Sequence, residues 1–359
     1  MKIGILTFHR AVNYGAILQC YALYTALKQL GYDVDVIDYR QPVIEENRHN
    51  LRWKHIWNNR LHWGNIYRYL KKYPYRKRIC VNFQVFGKQY LRFTPKCTGV
   101  SISKNIDLYL IGSDQVWTIV HTGGYDPVLW GMFDRFPNSK VCGYAISSNV
   151  ASIEAIDKTL LRKSISQFSI LSVREQTIKD MLSEYSQKPI RVDLDPTLLL
   201  SSQSWSELTD ESWGKRGDYI VTYQARHLPS KESFLYEQAC VLASKIGTTN
   251  IIDLSTYNYT PQEFVSIIKH ARYVITSSFH GTVFGLIFHQ PMAVYKLNDG
   301  HDSRCIDLLK STGMEYMLKE TSWTPEPEEC DYTHFDDRLS SLRESSINYL
   351  KSLKNIIQQ

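Results

Sequence analysis

In the stretch ITSSFHGTVFGLIFH (275–289), His280 stands between two serines and a glycine, where an extended apolar pattern gives way to a helical one. A helix beginning near Gly281 points the N–H groups of its first turn beyond the strand end, and its dipole favours an anion there. An imidazole beside such an anion, protonated only while the anion is bound, is a general acid. The competing reading is a histidine packed in an interface and satisfied by backbone. Ser277, Ser278 and Gly281 are the other members of this anion-binding turn.

Four further junctions carry reactive groups. In DLYLIGSDQVW, Gly112 allows a sharp turn that leaves Ser113, Asp114 and Gln115 facing a cleft. Asp114 there either takes a proton from a hydroxyl and holds a sugar, or caps the following helix. Arg174 in LSVREQT follows a strand and can clamp a carboxylate or phosphate bidentately, although most arginines at such places form surface ion pairs. Arg226 and His227 in YQARH share that reading. In HRAVNYGAILQ, Asn13, Tyr14 and Gly15 lead into a helix, offering backbone N–H groups to an anion or a cap through Asn13. One glycine falls short of the G-x-G-x-x-G of a dinucleotide site, so Asp38 reads as a solvated turn residue.

These groups need parallel sheets to hold them at strand ends. KIGILTF, a helix with Ala16, Cys20, Leu23, Leu27 and Leu30 on one face, and DVDVIDY form a β-α-β unit. DLYLIG, KVCGYAIS, FSILSVRE and IRVDLDP continue the series, with IEAIDKTLLRKSIS as an intervening helix. DYIVTYQ, IIDLS, ARYVITS and PMAVYKL make a second series. The expected fold class is α/β: two Rossmann-like domains with parallel sheets facing across a cleft, residues 1–200 and 215–330. A basic aromatic insert is expected at about 42–96, and a helix at 331–359 that packs back on the N-terminal domain. In open parallel sheets ligands bind beyond the carboxyl ends of the strands.

The chain has 359 residues, 43% of them apolar and 22% charged, which is the composition of a soluble globular protein. Its seven scattered cysteines, without C-x-x-C, read as free thiols of a reducing cytoplasm and exclude the usual cysteine-rich metal sites. MKIGILTFHR reads as a first strand and not as a signal peptide. The net charge of +6 hides an asymmetry: residues 47–106 hold 14 Lys and Arg and no Asp or Glu, while the remainder carries 28 basic against 36 acidic residues.

Taken in order, NYGAILQCYAL (13–23), GSDQVW (112–117), SVRE (172–175), DPTLLL (195–200) and SSFHG (277–281) resemble the polysaccharide pyruvyl transferase family. The resemblance runs from the first strand to about Gly313. It implies a GT-B-like fold and transfer of the enolpyruvyl unit of phosphoenolpyruvate onto a sugar as a pyruvate ketal, with release of phosphate. No metal or redox cofactor is implied, phosphoenolpyruvate being a co-substrate. His280 would protonate the donor's methylene carbon or manage the proton of the departing phosphate. Asp114 would orient or deprotonate the acceptor hydroxyl, and the turn after Ser278 would hold the anions with Arg174. Some family members place an arginine two residues before this histidine, where the present chain has Ser278. Arg226, Arg304 and Lys296, in that order, are the candidates to replace it.

Residues 47–96 interleave Lys and Arg with Trp53, Trp57, Trp63, Tyr67, Tyr69, Tyr73 and Tyr75, and Trp53, Trp57 and Leu61 are spaced along one helical face. Such a segment suits an anionic membrane surface, which would bring the enzyme to an acceptor carried on undecaprenyl diphosphate at the inner face of the cytoplasmic membrane. The other readings are contact with the acceptor's own diphosphate and a solvated helical lid packed on the N-terminal domain. No other feature supports nucleic-acid binding. The acceptor sugar is open, galactose being one candidate. Two alternatives to the transferase stay open: a GT-B glycosyltransferase using a nucleotide sugar, and a non-catalytic sugar- or lipid-binding assembly protein.

Overall fold

The computed structural model describes the backbone of residues 1–48, 63–103, 105–224, 233–297, 302–327 and 329–356, and side chains among these except 47–73 and 76. The chain divides into two compact units, one of residues 1–191 with 353–359 and one of residues 192–352.

The first unit is built on β1 (Lys2–Leu6), β2 (Asp33–Val36), β3 (Leu108–Asp114), β4 (Lys140–Ile146), β5 (Leu171–Val173) and β6 (Ile190–Val192). The spatial order is β2-β1-β3-β4-β5-β6, and the paired strands β1–β5 run parallel. β1, β3 and β4 are almost wholly buried, which is why they read as unbroken apolar runs and not as alternating ones.

The second unit holds β7 (Ile220–Tyr223), β8 (Ile251–Asp253), β9 (Tyr273–Thr276), β10 (Met292–Tyr295) and β11 (Leu318–Lys319). Its order is β8-β7-β9-β10-β11, again parallel throughout. Counted from each unit's own first strand, both sheets begin 2-1-3-4-5. In that order the direction of winding reverses between the first and third strands, and a crevice opens beyond their carboxyl ends. The switch points are therefore β1/β3 and β7/β9.

The fold class read from the sequence, α/β with two Rossmann-like parallel sheets, is the one observed. Details differ. IEAIDKTLLRKSIS is two helices, Val150–Glu154 and Lys158–Ile165, because Asp157 caps the second by accepting the Thr159 and Leu160 N–H groups. The two-residue edge strand β11 is too short to leave a sequence pattern.

Of the basic aromatic insert, the helices Pro42–Arg48 and Trp63–Tyr90 are described. Ile79, Phe83 and Phe86 bury one face of the longer helix against Tyr14 and Tyr21 of the helix Tyr14–Gln29, while Lys77, Arg78 and Lys88 are exposed. The expected Trp53–Trp57–Leu61 face lies outside the described residues, as do the side chains of Trp63, Tyr67, Tyr69 and Tyr73. Among the described residues no helix is long and apolar enough to cross a membrane. Among the described residues no cysteine forms a disulfide.

Candidate active site

At the β7/β9 switch point, Thr276 ends its strand by donating its hydroxyl to the Tyr223 carbonyl of β7 at 2.7 Å. The same oxygen accepts the Ser278 N–H at 3.0 Å. These two hydrogen bonds fix where the chain leaves the sheet, and the helix Phe279–Ile287 begins at once, two residues earlier than Gly281. Ser278 is its N-cap residue but makes no side-chain cap bond, which leaves the first-turn N–H groups without the usual hydroxyl acceptor. His280 lies inside the first turn and is buried, 7% exposed.

Gly281 explains the closeness of helix and strand. A Cβ there would lie 2.4 Å from Thr276 Oγ1 and 3.1 Å from a Tyr223 ring carbon. Gly281→Ala should cost about 1–3 kcal/mol by overpacking, since Thr276 is held by two hydrogen bonds and cannot swing aside. Chemical denaturation of the variant checks this; a value within error of zero would show that the turn yields.

The His280 ring packs edge-on against Phe279, with centroids 5.1 Å apart, and the Arg304 guanidinium lies 6.0 Å from the Phe279 ring centroid. Nε2 of His280 is buried, has no hydrogen-bond partner, and lies 3.8 Å from Oδ2 of Asp195. Asp195 belongs to DPTLLL but was not singled out for chemistry. Its Oδ1 accepts both the N–H and the hydroxyl of Thr197, at 3.0 and 2.6 Å. The structure thus brings Ser277, Ser278, His280, Gly281 and Arg304 into one region of the second unit. Arg226 and His227 lie outside the described residues. Lys296 pairs with Glu320.

In the first unit, Thr7 at the end of β1 donates to the Ser113 carbonyl at 2.9 Å, a bond across the β1/β3 switch point. Gly112 is required here: at φ 109° its missing Cβ would stand 2.3 Å from the Tyr144 carbonyl oxygen. The turn expected to leave Ser113, Asp114 and Gln115 facing a cleft is corrected at Ser113 and Gln115, which are buried. β3 continues to Asp114, and Ser113 is fully buried, donating to the Ala145 carbonyl at 2.8 Å. Asp114 is partly exposed, with Oδ1 accepting the next residue's N–H at 2.8 Å. Gln115 is buried, and its Oε1 lies 3.2 Å from His121 Nε2.

Asn13 accepts the Ala16 N–H and so caps the helix Tyr14–Gln29, whose first residues Tyr14 and Gly15 are buried. Arg174 is buried and shared between neighbours, its Nε 3.2 Å from Glu175 Oε1 and its Nη2 donating to Ser147 Oγ at 2.7 Å. Ser147 donates in turn to Glu175.

Asp38 is not a solvated turn residue. His9 Nε2 lies 3.2 Å from its Oδ1, and Arg40 donates to Oδ2. Burial opposes its charge, but the His9 and Arg40 bonds prevail and hold its carboxyl at about 2. His9 faces two acceptors, the Thr7 carbonyl and Asp38, yet burial outweighs both and pushes its imidazole below the ordinary value. Arg10 pairs with Glu45, which also lies 3.6 Å from Arg40. His9 and Arg10 were legible only as part of FHRAVNYG, a loop whose length put them at the switch point. Among the described residues, no group of three or more His, Cys, Asp or Glu could hold a metal ion.

Two doubly wound parallel units, each with polar groups gathered at its switch point, define a two-unit α/β protein of the Rossmann type. The chain belongs to the polysaccharide pyruvyl transferase family, whose model matches residues 13–298. No curated protein matches it. Solved structures to which the chain is similar include UDP-GlcNAc 2-epimerase from Methanocaldococcus jannaschii, at 12% identity over 97% of this chain and 93% of that one, TM-score 0.48. Another is Arabidopsis thaliana UGT89C1 complexed with UDP-L-rhamnose, at 12% identity over 99% and 97% of the two chains, TM-score 0.45. At such values the likeness says nothing of substrate.

Proposed function

We propose that the protein transfers the enolpyruvyl unit of phosphoenolpyruvate to two hydroxyls of one sugar ring, forming a pyruvate ketal for a bacterial surface polysaccharide. The observation that carries this reading is His280, a buried imidazole in the first turn of a helix whose N-cap serine makes no side-chain cap bond. Such a turn suits the donor's phosphate or carboxylate, with the ring at hand as acid. Arg304, the second residue of the helix Ser303–Thr312 and close to the Phe279 ring, is assigned to the anion site.

In the reaction, His280 gives a proton to the methylene carbon and C2 becomes electrophilic. One sugar hydroxyl adds to C2 as its proton leaves. The second hydroxyl then displaces phosphate at the same carbon and closes the ketal. Of the two hydroxyl protons, one replaces that lent by His280 to the new methyl group, and the other ends on phosphate. Asp114 is assigned to the acceptor hydroxyl. No metal or redox cofactor is assigned to these steps. The acceptor is a sugar, galactose or another with a suitable hydroxyl pair, carried on a lipid diphosphate. The exposed Lys77, Arg78 and Lys88 support contact with such an anionic carrier or with the membrane face that holds it.

A thermal melt distinguishes donors. Millimolar phosphoenolpyruvate should raise the melting temperature, since a ligand that binds only the folded state adds RT ln(1 + [L]/Kd). UDP or GDP should leave it unchanged. Stabilisation by a nucleotide and not by phosphoenolpyruvate would favour a nucleotide-sugar transferase and sink this reading.

A further inference from the structure

The second unit contains a buried carboxylate that the proposed chemistry has not yet used. Asp195 is 1% exposed, and it stands at the start of the short 3-10 helix Pro196–Leu199. A carboxylate in that setting needs compensation, because burial without partners is costly. One oxygen is compensated by Thr197, through both its N–H and its hydroxyl. These two bonds fix the carboxylate plane. The other oxygen then faces Nε2 of His280 at 3.8 Å, and this nitrogen has no hydrogen-bond partner although it is buried. The separation is outside hydrogen-bond reach but within ion-pair range. Catalytic hydrogen bonds are often long without substrate and tighten in the complex.

We propose that Asp195 is the positioning residue for His280. It holds the ring N–H at Nε2 and supports the imidazolium, so that Nδ1 is the nitrogen that carries the reacting proton. The inference deepens the reading of His280 as the proton donor and rests on it. It accounts for two residues of DPTLLL at once: Asp195 supplies the charge, and Thr197 holds that charge in register. Arg304, over Phe279, is a charged group at the start of the neighbouring helix Ser303–Thr312, which also carries Asp307 and Lys310.

The test uses the full chain and the variants Asp195→Asn and Thr197→Val. Asparagine preserves the side-chain oxygen that caps the 3-10 helix, so the fold should survive. It also offers an amide N–H to Nε2, which favours the opposite tautomer. The expected result is a fall in kcat for phosphoenolpyruvate turnover of about 100-fold, with KM changed less than about 3-fold. Thr197→Val should give a smaller fall of the same kind, because the carboxylate is kept but less firmly held. Nitrogen-15 spectra of histidine-labelled protein without substrate should show the His280 N–H at Nε2 in the parent and a shift toward Nδ1 in Asp195→Asn.

A purely structural Asp195 would lower the melting temperature without moving the tautomer or separating kcat from KM, and that outcome overturns the proposal. Full activity in Asp195→Asn does so as well. The spectra need no donor, so the two readings fail separately. A tautomer shift in a protein inert toward phosphoenolpyruvate would uphold the pairing and reject the donor.

Discussion

His280→Gln is expected to lower the rate of phosphate release from phosphoenolpyruvate by at least about 100-fold, while KM for the donor stays nearly constant. General acid catalysis by a placed side chain contributes about 10²–10⁴-fold, and each tenfold corresponds to about 1.4 kcal/mol in the barrier. Glutamine keeps a hydrogen-bonding group at the helix start but cannot cycle a proton. The proposed anion site draws on backbone N–H groups, which the substitution leaves in place. Binding and chemistry should therefore separate. Stopped assays under saturating donor give kcat, and donor titration gives KM. A variant that loses affinity but retains turnover would show His280 to be a binding residue only.

The second large effect concerns stability. Arg174→Ala should destabilise the protein by about 3–5 kcal/mol, because it leaves Glu175 buried without its cation. Both side chains are nearly inaccessible, with 4% and 5% exposure, so solvent screening offers little relief. Ser147 donates to Glu175 but cannot neutralise it. The double substitution Arg174→Met with Glu175→Leu should recover most of the loss, as apolar replacements of buried pairs commonly do. Urea denaturation of the three proteins measures the effect. If Arg174 instead served chiefly as an anion clamp, the single variant would raise KM for the donor with little change in stability.

Much of the fold was legible because its central strands are buried on both faces. KIGIL, LYLIGSD, IVTY and YVIT are apolar runs bounded by polar turns, and the lengths between them accommodate crossover helices. The sequence could not show which strands neighbour each other, since strand order depends on contacts between distant segments. That order is what locates β1/β3 and β7/β9 as switch points. His280 was legible because strand, small residues and helix follow one another without a break. Asp195 lies 85 positions earlier and comes near His280 only through tertiary folding. Asp38 was misread for the same reason. Its partner His9 lies on another strand end, so a local reading saw only an acidic residue after a strand. Gly281 was legible as a member of the turn but not as a steric requirement, which depends on where Thr276 and Tyr223 lie.

The proposed activity is a His280-dependent transfer of the three-carbon unit to a sugar. Incubation of the protein with phosphoenolpyruvate and a panel of galactose- and mannose-containing acceptors, free and lipid-linked, followed by mass spectrometry, tests it most directly. The predicted result is an acceptor heavier by one carboxyethylidene group, one phosphate released per product, and neither formed by His280→Gln. An acceptor heavier by a whole sugar, formed from a nucleotide sugar with phosphoenolpyruvate left intact, would contradict it.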